Sequence, residues 1–300
     1  VHMSRGLGDV YKRQGYIIIC ALVLPMARPR TVHFMGDLDG FGIALASRLS
    51  SRNRLFTVSN ATLSMLEDKI ETMGVYGANN QFSTSREVQP NDLILFVSGL
   101  EQQFDMNIAE GFPEDVQVIN LMPEDFEDSQ LDFVTTNIVI KDMILDSKSS
   151  YFQSESLASL YCQLETSDNT YNPTSYHWWV AQQDVIDALV CLFSLDCKLP
   201  QELNICGRKM WTLADTKDQL KMLYDRTIAG QTGNFNVLHL AAKSPNPNGL
   251  IAIEEMSNNA QRPNLASLHE LLLQSSCNGW RPQVPLRTAL MKYIASQFDD

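Results

Sequence analysis

Three glycines give the clearest chemical signal in this chain of 300 residues. Gly36, Gly40 and Gly42 follow the short apolar run Val32–Met35 and precede a segment in which leucines recur at helical spacing. Where a strand, a glycine turn and a helix follow one another, the glycines let a pyrophosphate approach the backbone, and the N–H groups at the start of the helix bind it. The pattern therefore predicts that Gly36, Gly40 and Gly42 line the pyrophosphate of a dinucleotide.

Two further residues extend this predicted site. Asn60 follows the next apolar run, Leu55–Val58, where the adenosine ribose of a dinucleotide would lie, and Ser98 follows a buried run at the cleft. No acid stands directly after Leu55–Val58 to bind the ribose 2′-hydroxyl. Asp37 and Asp39 lie inside the glycine turn, where their charges would repel a diphosphate. We therefore expect dinucleotide binding to be weak.

The elements that would position these residues alternate along the chain. Apolar runs typical of buried parallel strands occur at 92–97, 115–121 and 133–140, after the two runs named above. Residue spacing predicts helices at roughly 41–51, 62–73, 154–165, 184–195, 213–228, 265–274 and 285–297. Alternating strands and helices indicate a parallel sheet covered by helices.

Capping residues mark the start of two of these helices. Thr212 and Asp215 have the spacing of an N-terminal cap, which predicts a helix from residue 213. Asp184 stands immediately before the apolar stretch 185–193, and we expect it to cap that helix. Both residues are predicted to have structural roles.

Composition and charge exclude several classes of function. With 23 Lys+Arg against 35 Asp+Glu the net charge is −12, and no run of basic residues offers a surface for nucleic acid or anionic lipid. The apolar run 16–24 is far shorter than the ~20 residues of a membrane span, so we expect no span. Six scattered cysteines predict neither a zinc site nor a disulfide framework, and we expect reduced thiols in a cytoplasmic protein without a metal.

The first residues differ from those that follow. Lys12 and Arg13 precede the apolar run as in a signal peptide, but no cleavage site follows, and Met26 suits a natural start. We therefore interpret 1–25 as a leader or a non-native extension. Residues 26–160 are then expected to form a dinucleotide-binding domain, and 161–300 a mixed strand and helix region that completes the sheet and forms a substrate lobe.

Further segments follow the glycine turn in a characteristic order. They are a strand and an Asp-containing helix at 177–189, a strand, glycine turn and capped helix at 202–215, and the stretch 262–290, which contains Arg262-Pro-Asn-Leu and Asn278-Gly-Trp-Arg-Pro282. Over roughly 31–297 this order resembles the extended short-chain dehydrogenase/reductases, the family of NAD-dependent epimerases and dehydratases. The resemblance implies an α/β fold, a Rossmann-like doubly wound parallel sheet with a smaller C-terminal substrate lobe. It also implies NAD or NADP as cofactor, a nucleotide-sugar or other small molecule as partner, and Arg262 as a contact to substrate phosphate.

The catalytic pair of that family is what this chain lacks. In such enzymes a tyrosine acts as base, and a lysine four residues later lowers the pKa of that tyrosine, which is ordinarily near 10. Every tyrosine here lacks that lysine; Tyr151, followed by Glu155 and preceded by Lys148, is the nearest substitute. The resemblance aligns residues 133–140 with the strand that follows the family's catalytic helix. Only residues 122–132 then remain for the segment that should contain the tyrosine and lysine.

Two functions are consistent with these residues. The first is a divergent NAD(P)-dependent epimerase/dehydratase-like protein with a nucleotide-sugar type substrate and weak or no catalysis, a pseudoenzyme. The alternative is a non-catalytic nucleotide-binding or protein-interaction module with the same fold. Cofactor binding discriminates between them, and a homodimer is compatible with both.

Overall fold

The structure is a computed structural model that describes residues 30–72, 82–83, 87–97, 111–124, 133–147, 149, 151–166, 175–237, 239, 262–275 and 277–298. The expected leader, 1–25, lies outside these residues. The described helices are α1 (Gly40–Ser51), α2 (Asn60–Thr72), α3 (Glu155–Thr166), α4 (Gln182–Leu192), α5 (Leu213–Thr232), α6 (Ala266–Gln274) and α7 (Leu286–Phe298). None of these helices combines the length and the apolar character that crossing a bilayer requires.

Seven parallel strands form the central sheet. Its strands are β1 (Thr31–Met35), β2 (Leu55–Thr57), β3 (Phe82–Ser83), β4 (Leu93–Phe96), β5 (Gln117–Pro123), β6 (Thr136–Ile140) and β10 (Glu202–Ile205). Their order across the sheet is β10-β6-β5-β4-β1-β2-β3, and every neighbouring pair is parallel. The order reverses at β1 and β4, as in doubly wound nucleotide-binding folds. The predicted α/β fold is therefore confirmed.

Among the described residues, four short strands lie outside this sheet and make two small ladders. They are β7 (Met143–Ile144), β8 (Tyr176–His177), β9 (Val180–Ala181) and β11 (Trp211–Thr212). β7 pairs with β9 in parallel, and β8 pairs with β11 antiparallel. Both ladders follow the carboxyl ends of β6 and β10, so they extend the structure at that edge of the sheet.

The core follows from strands that are apolar on both faces. All four residues of β4 are buried, and so are most residues of β1 and β5, because helices cover the sheet. Apolar residues of α1 and α4 belong to the same hydrophobic cluster as the strands, among them Leu45 and Leu189. Apolar burial of this extent stabilises the fold by about 25 cal/mol for each Å² removed from water.

A second hydrophobic cluster joins α3, α5 and α7. Tyr161 of α3 makes edge-to-face contacts with Tyr224 of α5 and with Tyr293 of α7, at ring-centroid distances of 5.7 and 5.9 Å. Leu220 and Leu290 are fully buried in the same cluster. These helices therefore have a core of their own beside the sheet.

The helix starts agree with one of the two predicted caps. Thr212 is the N-cap of α5, and its hydroxyl oxygen accepts from the backbone N–H of Asp215 at 3.0 Å. The prediction for Asp184 was wrong, because α4 begins at Gln182 and its N-cap is Ala181. The carboxylate of Asp184 instead accepts the backbone N–H groups of Gln283 at 2.8 Å and Val284 at 3.0 Å. It holds the segment before α7 against α4.

The expectation of reduced thiols was wrong for one pair of cysteines. Cys191 of α4 and Cys277, just after α6, form a disulfide across 86 residues of sequence. Cysteine spacing does not predict this pair, because it does not show that α4 and the end of α6 are neighbours.

Candidate functional site

The predicted glycine turn lies between the carboxyl end of β1 and the start of α1, next to the carboxyl end of β2. Gly36 directly follows β1 and has φ 81°, a conformation that costs glycine little and other residues much more. Gly40 is the first residue of α1. A Cβ at Gly42 would lie 2.9 Å from the Cβ of Leu38, so only glycine lets the turn pack this closely onto the helix. The residues thus form the strand, glycine turn and helix expected from the sequence.

Asp39 occupies the N-terminus of α1. As the N-cap, its Oδ1 accepts from the backbone N–H groups of Phe41 at 3.1 Å and Gly42 at 3.2 Å. The hydroxyl of Ser149 donates to its other oxygen, Oδ2. The N–H groups that would bind a pyrophosphate are therefore already bound to a carboxylate, and α1 has an anion at its positive end.

Two hydrogen bonds tie the glycine turn to the end of β2. The hydroxyl of Ser59 donates to Asp37 Oδ1 at 2.6 Å, and the backbone N–H of Leu38 donates to Thr62 Oγ1 at 3.1 Å. Asn60, the predicted ribose contact, is the exposed first residue of α2 beside these bonds. Ser98, the predicted cleft residue, lies outside the described residues. Gly36, Gly40, Gly42 and Asn60 are thus brought to one edge of the sheet.

The crossover from β5 to β6 contains no catalytic tyrosine. β5 ends at Pro123 and β6 begins at Thr136, and the two strands are parallel neighbours. Residues 124–135 include neither a tyrosine nor a lysine. This connection is where the resemblance places the helix with the Tyr-x-x-x-Lys pair.

Tyr151 lies within the hydrophobic packing between β7 and α3. Its ring is half-buried against the main core and makes an edge-to-face contact with Phe152, with ring centroids 5.0 Å apart. Lys148, the lysine three residues before Tyr151, lies outside the described residues. The surroundings of Tyr151 are those of a packing residue.

Charged and aromatic side chains meet at the carboxyl end of β6. Asp142, at φ 53°, accepts from the ring Nδ1 of His177 at 2.6 Å and from the backbone N–H of Trp178 at 2.7 Å. Because a carboxylate only accepts, Nδ1 carries the proton of this hydrogen bond. The His177 ring stacks on Trp179 with centroids 4.5 Å apart. Asp142 and His177 form an acid–imidazole pair that the sequence did not reveal.

An ion pair between Glu124 and Lys141 links the ends of β5 and β6. Lys141 Nζ also lies 5.6 Å from the centre of the Trp178 ring. At the end of β10, burial raises the pKa of the Cys206 thiol to about 12. Burial thus favours the protonated thiol over the thiolate, which is the reactive form.

Arg262 lies in the wall of a cavity of about 830 Å³ beside β10. Glu124, Glu202 and Arg208 line the same cavity. Arg262 Nη1 donates to the backbone oxygen of Arg208 at 3.4 Å. The cavity thus offers acceptors for hydroxyl groups as well as cations for an anion, a mixture suited to a polar ligand.

A second cavity, of about 590 Å³, opens next to it, and Arg208 lines both. Arg208 and Lys209, which follow the end of β10, meet Arg281 and Arg287 around this opening. The sequence indicated no basic patch because these residues come from segments far apart in the chain.

Comparison with known proteins establishes the fold. No family model matches the sequence, and no curated protein matches it. UDP-glucuronic acid 4-epimerase from Bacillus cereus, solved in complex with NAD, is similar with a TM-score of 0.51 and 10% identity, over 89% of this chain and 96% of that chain. The terminal R domain from the myxalamid PKS-NRPS biosynthetic pathway is similar with a TM-score of 0.52 and 10% identity, over 90% of this chain and 91% of that chain. These structures share the doubly wound α/β fold that the sequence predicts.

Proposed function

We propose that this protein is a divergent NAD(P)-binding relative of the epimerases and dehydratases that takes a nucleotide-sugar type ligand and has weak or no catalysis. The observation that carries the proposal is the glycine turn between β1 and α1 in a sheet whose order reverses beside it. In such sheets ligands bind at the carboxyl edge where the order reverses. The NAD held by the similar epimerase structure supports the same cofactor class.

The bound cofactor would supply hydride transfer, and this chain's residues would hold it. Gly36, Gly40 and Gly42 would line the pyrophosphate and Asn60 the ribose, with Ser98 at the cleft. Asp39 must release the N–H groups of Phe41 and Gly42 before a pyrophosphate is bound there. Binding is therefore possible but weakened, in keeping with the charge at the turn.

Weak catalysis follows from the missing base. A positioned general base contributes 10²–10⁴-fold to a rate, and no tyrosine or lysine stands between β5 and β6. Asp142 and His177 form an acid–imidazole pair at the carboxyl end of β6, which is this edge of the sheet. Any residual turnover would use His177 rather than Tyr151.

The test is cofactor binding followed by turnover. Calorimetric titration with NAD⁺ and NADP⁺ should give weak, saturable heats in the wild type and none in Gly42→Ala, whose new Cβ would meet Leu38. Gly230→Ala is the matched control, because a Cβ there has open space around it. The absence of any NAD(P) binding to the wild type would contradict the proposal and favour the non-catalytic module.

Arg262 is the proposed contact to substrate phosphate. Its guanidinium presents a planar fork that matches a phosphate, and it lines the cavity beside β10. UDP- and GDP-sugars should bind the wild type more tightly than Arg262→Ala. Equal heats, or no heat from either protein, would remove Arg262 from the site.

A further inference from the structure

The stretch of chain between α6 and α7, which we call the α6–α7 connection, is held against α4 at both of its ends. Near its start, Cys277 forms the disulfide with Cys191 in the last turn of α4. Near its end, the backbone N–H groups of Gln283 and Val284 donate to the carboxylate of Asp184 in the first turn of α4. One helix thus holds the connection twice, once by a covalent bond and once by hydrogen bonds.

Trp280 lies between these two attachments and is buried. It is only 4% exposed, and its indole N–H donates to the backbone oxygen of Cys206, directly after β10, at 2.9 Å. Its backbone N–H donates to Nδ1 of His269 in α6 at 3.0 Å. Gly279 lies so close to the same imidazole ring that a Cβ there would be 2.3 Å from Cε1 of His269. A displacement of the connection would therefore disturb its contacts with both α6 and the end of β10.

The α6–α7 connection also forms part of the wall of the cavity that Arg262 lines. Trp280 and His269 belong to the lining of that cavity, together with Leu265 and Ala266 at the start of α6. Because Trp280 is hydrogen-bonded to His269, a shift of the connection changes the positions of two lining side chains together. No cysteine is among the described residues that line the cavity. The disulfide can therefore act on a ligand through the connection, without touching it.

Of the two attachments, only the disulfide can be removed by a reversible chemical step. Cys191 and Cys277 are both half-buried, and the exposed Asn278 follows Cys277, so a small thiol can approach the sulfur atoms. A thiolate of the reductant attacks one sulfur, forms a mixed disulfide and releases the other cysteine. The second thiol of a dithiol then displaces the remaining cysteine. The protein gains two electrons and two protons, and the dithiol becomes a disulfide.

We propose that the Cys191–Cys277 disulfide is a redox switch, whose reduction by a dithiol releases the α6–α7 connection from α4 and lowers the affinity of the Arg262 cavity for its ligand. In the oxidised protein the connection is fixed before a ligand arrives, which reduces the entropic cost of binding. In the reduced protein the connection alternates between attached and released positions. The apparent affinity then falls with the fraction of molecules in which it is attached.

The inference rests on the proposed function for the class of ligand, a nucleotide-sugar, and adds a control by thiol–disulfide exchange. The disulfide closes a loop of 86 residues, and a cross-link over a long loop removes more chain freedom than one over a short loop. Once it is reduced, the hydrogen bonds of Asp184 and Trp280 are what hold the connection among the described contacts. Hydrogen bonds of this kind can open locally while the rest of the fold stays intact.

The first experiment follows the connection itself and needs no ligand. Amide hydrogen exchange of the peptide that contains residues 278–284 is compared before and after treatment with dithiothreitol. The protected N–H groups of Trp280, Gln283 and Val284 should exchange at least about 10-fold faster after reduction. They should return to the original rate after reoxidation with oxidised glutathione, while the N–H groups of α1 stay unchanged. Equal exchange in the oxidised and reduced protein would overturn the switch.

The second experiment titrates UDP-glucose by calorimetry into the oxidised and the reduced protein. The oxidised form should bind it about 5- to 20-fold more tightly. Cys191→Ser and Cys277→Ser should bind as the reduced wild type does and should not respond to dithiothreitol. Cys162→Ser is the matched control, because it removes an exposed thiol of α3 that is in no disulfide. This variant should keep the full response.

The outcomes separate the switch from the proposed function. UDP-glucose that binds equally well to the oxidised and reduced protein would overturn the switch alone, even if exchange of the connection is faster after reduction. UDP-glucose that binds to neither form would contradict the proposed function and the control of affinity with it. Because the wild-type chain is compared in two redox states, the result does not depend on whether the serine variants fold.

Discussion

Asp39→Ser should tighten the binding of NAD⁺ while leaving the fold intact. Serine is as good an N-cap as aspartate, so the hydroxyl keeps a hydrogen bond to the start of α1. The substitution removes the carboxylate that now accepts from Phe41 and Gly42 at 3.1 and 3.2 Å. A pyrophosphate would then meet the helix without a competing anion.

The size of the effect follows from the charge that is removed. A carboxylate about 5 Å from a phosphate repels it by roughly 3 kcal/mol at an effective dielectric constant of 20, and salt reduces this. We expect a gain of about 1.5–3 kcal/mol, or roughly 10- to 150-fold in the dissociation constant. Loss of the favourable charge at the helix end should cost α1 about 0.3–1 kcal/mol.

The assay is NAD⁺ titration by calorimetry, with thermal unfolding as a check on stability. Asp115→Ser is the matched control, since Asp115 is exposed at the amino end of β5 and its nearest cation, Lys198 Nζ, is 3.9 Å away. That variant loses the same charge at the opposite edge of the sheet and should bind NAD⁺ as the wild type does. An unchanged dissociation constant in Asp39→Ser would show that this carboxylate does not compete with the cofactor.

Four further outcomes are expected. Tyr151→Phe should leave any residual turnover with NAD⁺ and a UDP-sugar unchanged; a rate that collapses would make this tyrosine a working base. Asp184→Ala should lower the free energy of unfolding in urea by about 2–4 kcal/mol, because two backbone N–H groups lose their acceptor. A decrease in that free energy of less than about 0.5 kcal/mol would contradict the anchoring role of Asp184. Burial raises the pKa of Cys206 and of Tyr293 to about 12 each, from 9.0 and 10.0. Because the fold favours the neutral form of both groups, their contribution to the free energy of unfolding is complete below pH 9 and is lost as the pH rises toward 12. Unfolding titrations between pH 8 and 12 should show this fall, and a flat profile would contradict it. Cys191→Ser should lower the stability of the oxidised protein by about 2–5 kcal/mol, and equal melting temperatures with and without reductant would argue against the disulfide.

Apolar spacing along the sequence was sufficient to predict the helices and strands of the sheet. The predicted helix at 41–51 is α1 at Gly40–Ser51, and that at 285–297 is α7 at Leu286–Phe298. Both were predictable because apolar spacing reflects one buried face, and one buried face is all that a helix on a sheet requires. The apolar run at 92–97 likewise became β4, buried on both sides.

Side-chain roles that depend on distant segments were not predictable. Asp184 has the sequence position of a cap, but its carboxylate binds backbone groups nearly a hundred residues later. The pairing of Asp142 with His177 requires β8 to lie beside the end of β6. The spacing of apolar residues does not show which segments are neighbours in the fold. Asp39 was predicted as a source of repulsion, but its capping bonds depend on where α1 begins.

Under the proposed function, two features weaken this chain as a dinucleotide enzyme, and they differ in how easily mutation could reverse them. Asp39 is one residue, and aspartate and glycine codons differ by a single base, so one point mutation would free the N–H groups at the start of α1. Glycine is also tolerated at an N-cap at a cost of only a few tenths of a kcal/mol. The connection 124–135 would instead need an inserted segment that supplies a tyrosine and a lysine. Under the proposed function, one substitution would therefore raise cofactor affinity, whereas turnover would require a longer insertion.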